Sequence, residues 1–324
     1  MSVVDVRALP KAELHLHFEA AMSRESAVEL AERHGKPLPA TGSFRDLTEF
    51  VVAYERARDL VGSVDELREL ARRLGARQRE DGVAWTEVHF VPATYAGRLG
   101  PDDGLVEAMV DGLRAGAGVD HAGLVLAVNR GLPVAAAEAM LELALRWAGS
   151  GVVAFGLAGD EANYPASRFA DLFRRAREAG LPAVPHAGEG AGADHVRETV
   201  EMLRPSRVCH GVRALEDDRV VELLRERDVC LDMAPISNTL LGVVPDLPAH
   251  PLPELARRGV PVTLNSDIPL FTGGGLVTEY ERCVEAWGLT EAQVVSLART
   301  SLERSFCPAH VRSDALRELA SIGV

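Results

Sequence analysis

Residues 181–211, LPAVPHAGEGAGADHVRETVEMLRPSRVCHG, contain the repeating unit that decides the fold. The stretch opens with an apolar run, Leu181–His186, and ends with another, Arg207–Gly211. Between them, Asp194–Leu203 has apolar residues at helical spacing. The first run is apolar at nearly every position, as in strands that are buried on both faces of a sheet. This order of strand, helix and strand predicts parallel strands that are joined by a crossover helix.

The same unit recurs along the chain and predicts eight strands. The candidate strands are Ala12–His17, Val83–Val91, Gly123–Val128, Val152–Leu157, Leu181–His186, Arg207–Gly211, Asp228–Asp232 and Val260–Asp267. The candidate helices include Val64–Glu80, Val134–Trp147, Ala166–Ala179, Asp194–Leu203, Asp217–Arg227 and Pro253–Arg258. Gly180 and Gly259, each followed two residues later by proline, suit left-handed helix caps. Eight such units predict an α/β fold, a (β/α)8 TIM barrel, with an open doubly wound sheet as the alternative.

Two segments depart from the simple repeat and predict extra helices. Residues 35–62, between strands one and two, are too long for a simple crossover. They carry an apolar stripe at near-helical spacing: Phe44, Leu47, Phe50, Val51 and Tyr54. We expect a helix packed on the barrel or a lid over its mouth. The tail from Thr290 to Val324 predicts further helices that close the barrel, and residues 1–324 are expected to form one domain.

Composition excludes several classes of partner. The chain has a formal net charge of −13 and no basic block that stands clear of acidic neighbours, so no nucleic-acid partner is expected. No apolar run reaches membrane-spanning length and no leader-like sequence is found, so we expect a cytoplasmic protein without membrane association. A small-molecule ligand fits better. Four widely spaced cysteines without a C-x-x-C motif are expected to be reduced thiols: Cys209, Cys230, Cys283 and Cys307.

Histidines and acids fall at the ends of the predicted strands. His15 and His17 end strand one, and residues two apart in a strand point to the same side. His186, His210 and Asp267 end strands five, six and eight. The carboxyl ends of barrel strands are where active sites of this fold are built. Three imidazoles and one carboxylate suit a zinc ion with a position left for water.

Five short segments extend this observation into a family resemblance. They are Pro10–His17, Leu157–Glu161, His186–Glu189, His210–Gly211 and Leu264–Asp267. Taken in this order, they resemble the adenosine/adenine deaminase family of the amidohydrolase superfamily. His-x-His alone is a weak signal and His-Ala-Gly-Glu a moderate one, whereas all five in the family's order are specific.

The resemblance implies a ligand set for one metal ion per chain. By that resemblance His15, His17, His186 and Asp267 hold one Zn²⁺. Zinc lowers the pKa of water in such a site toward about 7, which makes hydroxide available at neutral pH.

The resemblance also implies catalytic and substrate-binding roles. Glu189 would donate a proton to a ring nitrogen, His210 would orient the attacking water, and Asp267 would accept a proton. The substrate-binding residues would be His17, Glu19, Gly159 and Ile268, with Gly159 offering its backbone to the ring and Glu19 contacting a sugar hydroxyl. Asp160 and Glu161 are expected to be structural.

Three positions depart from the family pattern. Ile268 stands where the family usually has a second acid that hydrogen-bonds the purine. A buried ring nitrogen of the substrate without that partner would cost about 1–3 kcal/mol of binding free energy. This predicts that the natural substrate has a different or modified base, or that the enzyme uses adenosine poorly. Phe18 and Ala20 flank Glu19 and would narrow a sugar site. Cys209 replaces a glycine and is expected to be packing.

The predicted function is zinc-dependent hydrolytic deamination of an aminopurine nucleoside or base, or a modified analogue, with release of ammonia. One alternative is an amidohydrolase acting on another heterocycle; the two-metal version is disfavoured because Val152–Glu161 contains no lysine. The small zinc deaminases need a Cys-x-x-Cys motif that this chain lacks. A catalytically weak barrel that binds a nucleoside is the non-enzyme alternative, and the presence of both Glu189 and His210 argues against it.

Overall fold

The computed structural model describes residues 5–45, 47–95 and 97–322. Within these ranges eight parallel strands follow one another around a single sheet in chain order. The strands are β1 (Lys11–His17), β2 (Val83–Phe90), β3 (Ala122–Asn129), β4 (Val152–Ala158), β5 (Ala183–Ala187), β6 (Arg207–His210), β7 (Cys230–Met233) and β8 (Val262–Leu264). This order confirms the predicted (β/α)8 barrel, because an open doubly wound sheet would reverse its strand order.

The barrel closes through a residue that lies just beyond β8. Leu16 on β1 pairs in parallel with Asp267. The N–H of His17 donates to the carbonyl of Asp267 at 2.9 Å, and the N–H of Asp267 donates to the carbonyl of His15 at 3.0 Å. The backbone contacts that complete the barrel therefore fix Asp267 beside the two β1 histidines.

Helices separate the strands and cover the outside of the sheet. They are α1 (Arg24–His34), α2 (Leu47–Leu60), α3 (Val64–Glu80), α4 (Asp102–Ala117), α5 (Val134–Trp147), α6 (Ala170–Glu178), α7 (Ala193–Leu203), α8 (Asp218–Glu226), α9 (Pro235–Leu240), α10 (Leu252–Arg257), α11 (Pro269–Thr272), α12 (Leu276–Trp287), α13 (Glu291–Arg304) and α14 (Ala309–Ser321). Helix α2 confirms the extra helix predicted within residues 35–62, and α13 and α14 confirm the helices predicted from Thr290 onward. Gly180 and Gly259 have φ of 83° and 84°, as left-handed caps require.

The insertion after β1 forms helices, and one of them covers the mouth of the barrel. Phe50 and Tyr54 of α2 lie against Phe271 of α11, with ring centroids 5.4 and 6.5 Å from that ring. Val51 does not belong to the buried stripe, since it is 44% exposed. Its position in the helix, one residue after Phe50, turns it by about 100° away from the packed face. The side chain of Leu47 lies outside the described residues.

The interior of the barrel contains an ion cluster as well as apolar side chains. Arg207 on β6 is buried and donates to Asp232 at 2.7 Å and to Glu87 on the opposite side. Its guanidinium lies 4.2 Å from the ring of Phe306. A buried arginine with two carboxylate partners avoids the cost of an unpaired charge.

No helix in the described part of the chain is both long and apolar enough to cross a bilayer.

Candidate active site

Four predicted ligand residues converge at the mouth of the barrel. The Nε2 atoms of His15 and His17 lie 3.1 and 3.0 Å from Nε2 of His186. Both also lie 3.4 Å from Oδ1 of Asp267. Zinc–ligand bonds of about 2.0–2.1 Å place the ligand atoms of a tetrahedral site about 3.3 Å apart. Four of the six pairs among these atoms therefore have roughly the separation expected around one tetrahedral ion.

Two backbone carbonyls fix the direction in which the imidazoles offer their lone pairs. Nδ1–H of His15 donates to the carbonyl of Asp232 at 3.1 Å, and Nδ1–H of His186 donates to that of Leu157 at 2.9 Å. Burial lowers the pKa of His15 to about 4 and that of His186 well below its ordinary value, so both rings are neutral. Their Nε2 lone pairs consequently face each other, which is unfavourable unless a cation lies between them.

Asp267 is held in place by its outer oxygen and by its backbone. The hydroxyl of Ser237 on α9 donates to Oδ2 of Asp267 at 2.6 Å, which leaves Oδ1 facing the histidines. The backbone of Asp267 has a φ of 55°, in the left-handed region that is strained for a residue with a side chain. Hydrogen bonds of this kind orient metal ligands in proteins. The donor set thus fits a zinc ion in the number and chemistry of its donors and in the hydrogen bonds that support them.

Glu189 and His210 lie beside this cluster. Oε2 of Glu189 is 3.4 Å from Nε2 of His210, and ligand-type atoms of both residues lie within 4.8 Å of a carboxylate oxygen of Asp267. The side chain of Glu189 is 27% exposed, which gives it access to the mouth. Burial of the carboxyl, together with the charges of Asp267 and Glu161, raises the pKa of Glu189 well above its ordinary range. These surroundings favour the protonated carboxyl of Glu189 over its carboxylate.

Glu161 positions the loop that carries Glu189. Its carboxylate accepts four backbone N–H groups, from Gly188 at 2.7 Å, Glu189 at 3.2 Å, Gly190 at 3.1 Å and Ala191 at 3.2 Å. A carboxylate that accepts several N–H bonds stabilises a tight turn that would otherwise leave its donors unpaired. These contacts support the structural role that was expected for Glu161.

The predicted substrate-binding residues are distributed over the mouth. Glu19 is 2% exposed and accepts a hydrogen bond from the hydroxyl of Tyr54 at 2.9 Å, while its other oxygen has no partner among the described residues. Burial raises the pKa of Glu19 to about 7. Ile268 is 2% exposed and belongs to the apolar cluster that includes Phe271. Gly159 follows β4 directly, with a φ of 98° that suits glycine.

Two residues named as departures pack in the interior. Phe18 is buried and its ring meets that of Phe90 edge-on at 5.7 Å, so it contributes to the core around the mouth. Cys209 is buried among Val125, Ala154 and Val184, as expected for a packing thiol. Its sulfur also lies within 4.8 Å of ring nitrogens of His15 and His186, but burial raises the pKa of this thiol well above its ordinary value.

Sequence reasoning missed His89, a fifth imidazole at the site. It lies on β2, fully buried, with its ring centroid 5.3 Å from those of His15 and His17. Its Nε2 is 3.8 Å from Sγ of Cys209. The two-residue alternation from Glu87, whose side chain points into the barrel, could have assigned His89 to the inner face.

The sequence of this chain is similar to those of known deaminases over nearly its whole length. The family model described as adenosine deaminase matches residues 10–322. A putative adenosine/adenine deaminase of Streptomyces coelicolor is 35% identical over 335 aligned positions, which cover 97% of this chain and 96% of that protein. An adenine deaminase of Bordetella parapertussis is 36% identical over 310 positions, which cover 92% and 97% respectively.

A solved structure agrees over the same length. The crystal structure of an adenine deaminase from Arthrobacter aurescens superposes with a TM-score of 0.89 at 30% identity, covering 97% of this chain and 99% of that one. Both the sequence and the fold therefore match over nearly the whole chain. This chain is a hydrolytic deaminase and belongs to the adenosine deaminase family.

Proposed function

We propose that this deaminase holds one zinc ion between His15, His17, His186 and Asp267 and removes the amino group of an aminopurine nucleoside or base, or of a close analogue. One observation carries the metal proposal. The Nε2 atoms of His15 and His186 are 3.1 Å apart, while both Nδ1–H groups are committed to backbone carbonyls. Neither ring can donate to the other, so a cation is the partner that suits both lone pairs.

The chemistry of each group follows from where it lies. Zinc in such a site lowers the pKa of water toward about 7 and so supplies a nucleophile at neutral pH. Glu189 gives the proton on its carboxyl to the ring nitrogen next to the amino-bearing carbon, which relieves negative charge as that carbon becomes tetrahedral. The Asp267 carboxylate would receive a proton from the attacking water and pass it to the amino group. The C–N bond then breaks, ammonia leaves, and the proton lost by the added hydroxyl restores the carboxyl of Glu189. His210 donates from Nε2 to the oxygen that adds to the ring.

The substrate is expected to differ from plain adenosine in how its far ring is bound. Ile268 follows Asp267 directly and is buried with Phe271, so this wall of the site is apolar. An apolar wall accepts a ring edge that carries an alkyl or other apolar group, but it gives a ring nitrogen no hydrogen bond. The oxygen of Glu19 that has no partner among the described residues is available to a polar group of the substrate.

Ammonia release and metal content, measured on the same preparation, test this proposal. The panel consists of adenine, adenosine, adenosine monophosphate and versions of each that carry apolar substituents on the purine. We expect ammonia from at least one aminopurine and about one zinc per chain. Release of ammonia only from non-purine heterocycles would reject the substrate class. Full activity in protein stripped of metal would reject the metal.

Replacing Ile268 by aspartate tests the origin of substrate choice. We expect the kcat/KM for adenosine, relative to the best native substrate, to rise roughly tenfold, because a buried hydrogen bond to the ring is worth about 1–3 kcal/mol. The measurement is competition between the two substrates in one reaction. Ile268→Val is the matched control, since it keeps the wall apolar and should leave the ratio as it was. An equal ratio in all three proteins would discard the role of Ile268.

A further inference from the structure

A line of buried hydrogen bonds connects His210 to the backbone at the start of α10. The N–H of Leu252 donates to Nδ1 of His250 at 3.2 Å. Nε2 of His250 lies 3.1 Å from Oδ1 of Asn238, and Nδ2 of Asn238 lies 3.1 Å from Nδ1 of His210. The side chains of Asn238, His250 and His210 are all buried. Water therefore does not compete for these contacts.

The backbone N–H at one end gives the line a single direction. Because an amide N–H can only donate, Nδ1 of His250 must accept and the ring proton of neutral His250 must be on Nε2. That proton goes to the oxygen of Asn238, so the amide NH₂ of Asn238 faces His210. The reverse direction would place the Nδ1–H of His250 against the N–H of Leu252, two donors 3.2 Å apart.

His250 is held in its neutral form by its surroundings. The ring lies stacked on that of Trp287, with the centroids 6.0 Å apart and the planes at 30°. Burial lowers the pKa of His250 to about 3, so it carries one ring proton at neutral pH. The indole N–H of Trp287 is itself engaged by the carbonyl of Leu247 at 2.8 Å. The ring of His250 is thus fixed on one face.

We infer that Asn238 and His250 are positioning residues that hold His210 in the tautomer with its proton on Nε2. His210 then donates a hydrogen bond into the site and cannot act there as a base, since its other nitrogen already accepts from Asn238. The donor nitrogen, Nε2 of His210, lies 3.4 Å from Oε2 of Glu189, on the side of the site where the proposed function places the reacting oxygen. The catalytic use of this proton rests on that proposed function. The backbone of His210 has a φ of 68°, which sets the direction in which its side chain leaves the backbone.

The test is the substitution Asn238→Asp, which keeps the shape of the side chain and removes its donor. An aspartate can only accept, so His210 must move its proton to Nδ1. Nitrogen-15 NMR of histidine-labelled protein shows directly which ring nitrogen of His210 carries the proton. The signals of His210 are assigned as those that disappear in a His210→Asn sample. We expect protonated Nε2 in the unaltered protein and protonated Nδ1 in the variant. We also expect kcat to fall roughly 10²–10⁴-fold, as when a catalytic histidine is held in the wrong tautomer, with KM changed far less.

Two substitutions of His250 keep the inference testable if Asn238→Asp does not fold. His250→Gln can still accept from Leu252 and donate to Asn238, and should preserve the proton on Nε2 of His210. His250→Phe keeps the stacking on Trp287 but removes both hydrogen bonds; it should give a mixture of tautomers and reduce kcat roughly tenfold.

The nitrogen spectrum also separates this inference from the proposed function, because it requires no turnover. Protonated Nδ1 or a doubly protonated ring at His210 in the unaltered protein would overturn the inference. The same spectrum in His250→Phe as in His250→Gln would overturn it as well. A protein that deaminates no purine but shows the expected tautomers would reject the proposed substrate and leave the hydrogen-bond line established.

Discussion

Replacement of Glu189 by glutamine should reduce ammonia release by roughly 10³-fold, within the range measured for loss of a general acid. Glutamine keeps the shape of the side chain and can still hydrogen-bond, but it has no carboxyl proton to give to a ring nitrogen. Burial raises the pKa of Glu189 well above its ordinary range, which favours the protonated carboxyl in the unaltered protein. The measurement is steady-state release of ammonia with the best substrate of the panel.

The control for this experiment changes the same group at a site without catalytic contacts. Glu201 lies on α7, the helix that follows the Glu189 loop, and is exposed. Glu201→Gln should retain the activity of the unaltered protein, and both variants should keep their zinc. Turnover by Glu189→Gln within a few-fold of the control would remove Glu189 from the mechanism.

The sequence predicts the architecture because the strands are buried on both faces and the helices carry clear end signals. The bounds of α3 and α5 agree with the prediction at both ends. The errors have physical reasons. β5 begins at Ala183, two residues after the predicted start, because Pro182 has no N–H to give to a neighbouring strand. β8 ends at Leu264, short of the predicted Asp267, because that residue has a left-handed backbone.

The sequence also places the donor atoms of the site, because strand ends meet at one edge of a barrel. It does not predict the residues that hold these donor atoms and the catalytic side chains in place by hydrogen bonds. Ser237, Asn238 and His250 follow β7, and nothing in a single sequence shows that they meet residues from β6 and the end of β8. Such contacts depend on the lengths and turns of the intervening loops. The contacts of Glu161 are equally hard to predict from the sequence, since its four N–H partners lie 27 to 30 residues further along the chain.

Replacement of His186 by alanine should remove the zinc and with it the activity. Three donors would remain, and the Nε2 atoms of His15 and His17 would lose the partner that lies 3.1 and 3.0 Å away. At free zinc about 1,000 times its dissociation constant, binding stabilises the folded protein by about 4 kcal/mol. We expect that gain in the unaltered protein and its absence in the variant, as measured by thermal unfolding with and without added zinc.

The matched control removes an imidazole that lies far from the site. His310 is on α14, where its exposed ring lies 3.4 Å from a carboxylate oxygen of Asp120. His310→Ala should bind zinc and respond to it like the unaltered protein. Equal stabilisation by zinc in His186→Ala and His310→Ala would show that the ion binds elsewhere.

X-ray absorption at the zinc edge, measured together with zinc content, examines the four-ligand cluster itself. In the unaltered protein we expect one zinc per chain, surrounded only by nitrogen and oxygen at about 2.0–2.1 Å. In His186→Ala that spectrum should be lost along with the metal. A sulfur ligand from Cys209, a second zinc in the site, or an unchanged spectrum in His186→Ala would contradict a single ion shared by His15, His17, His186 and Asp267.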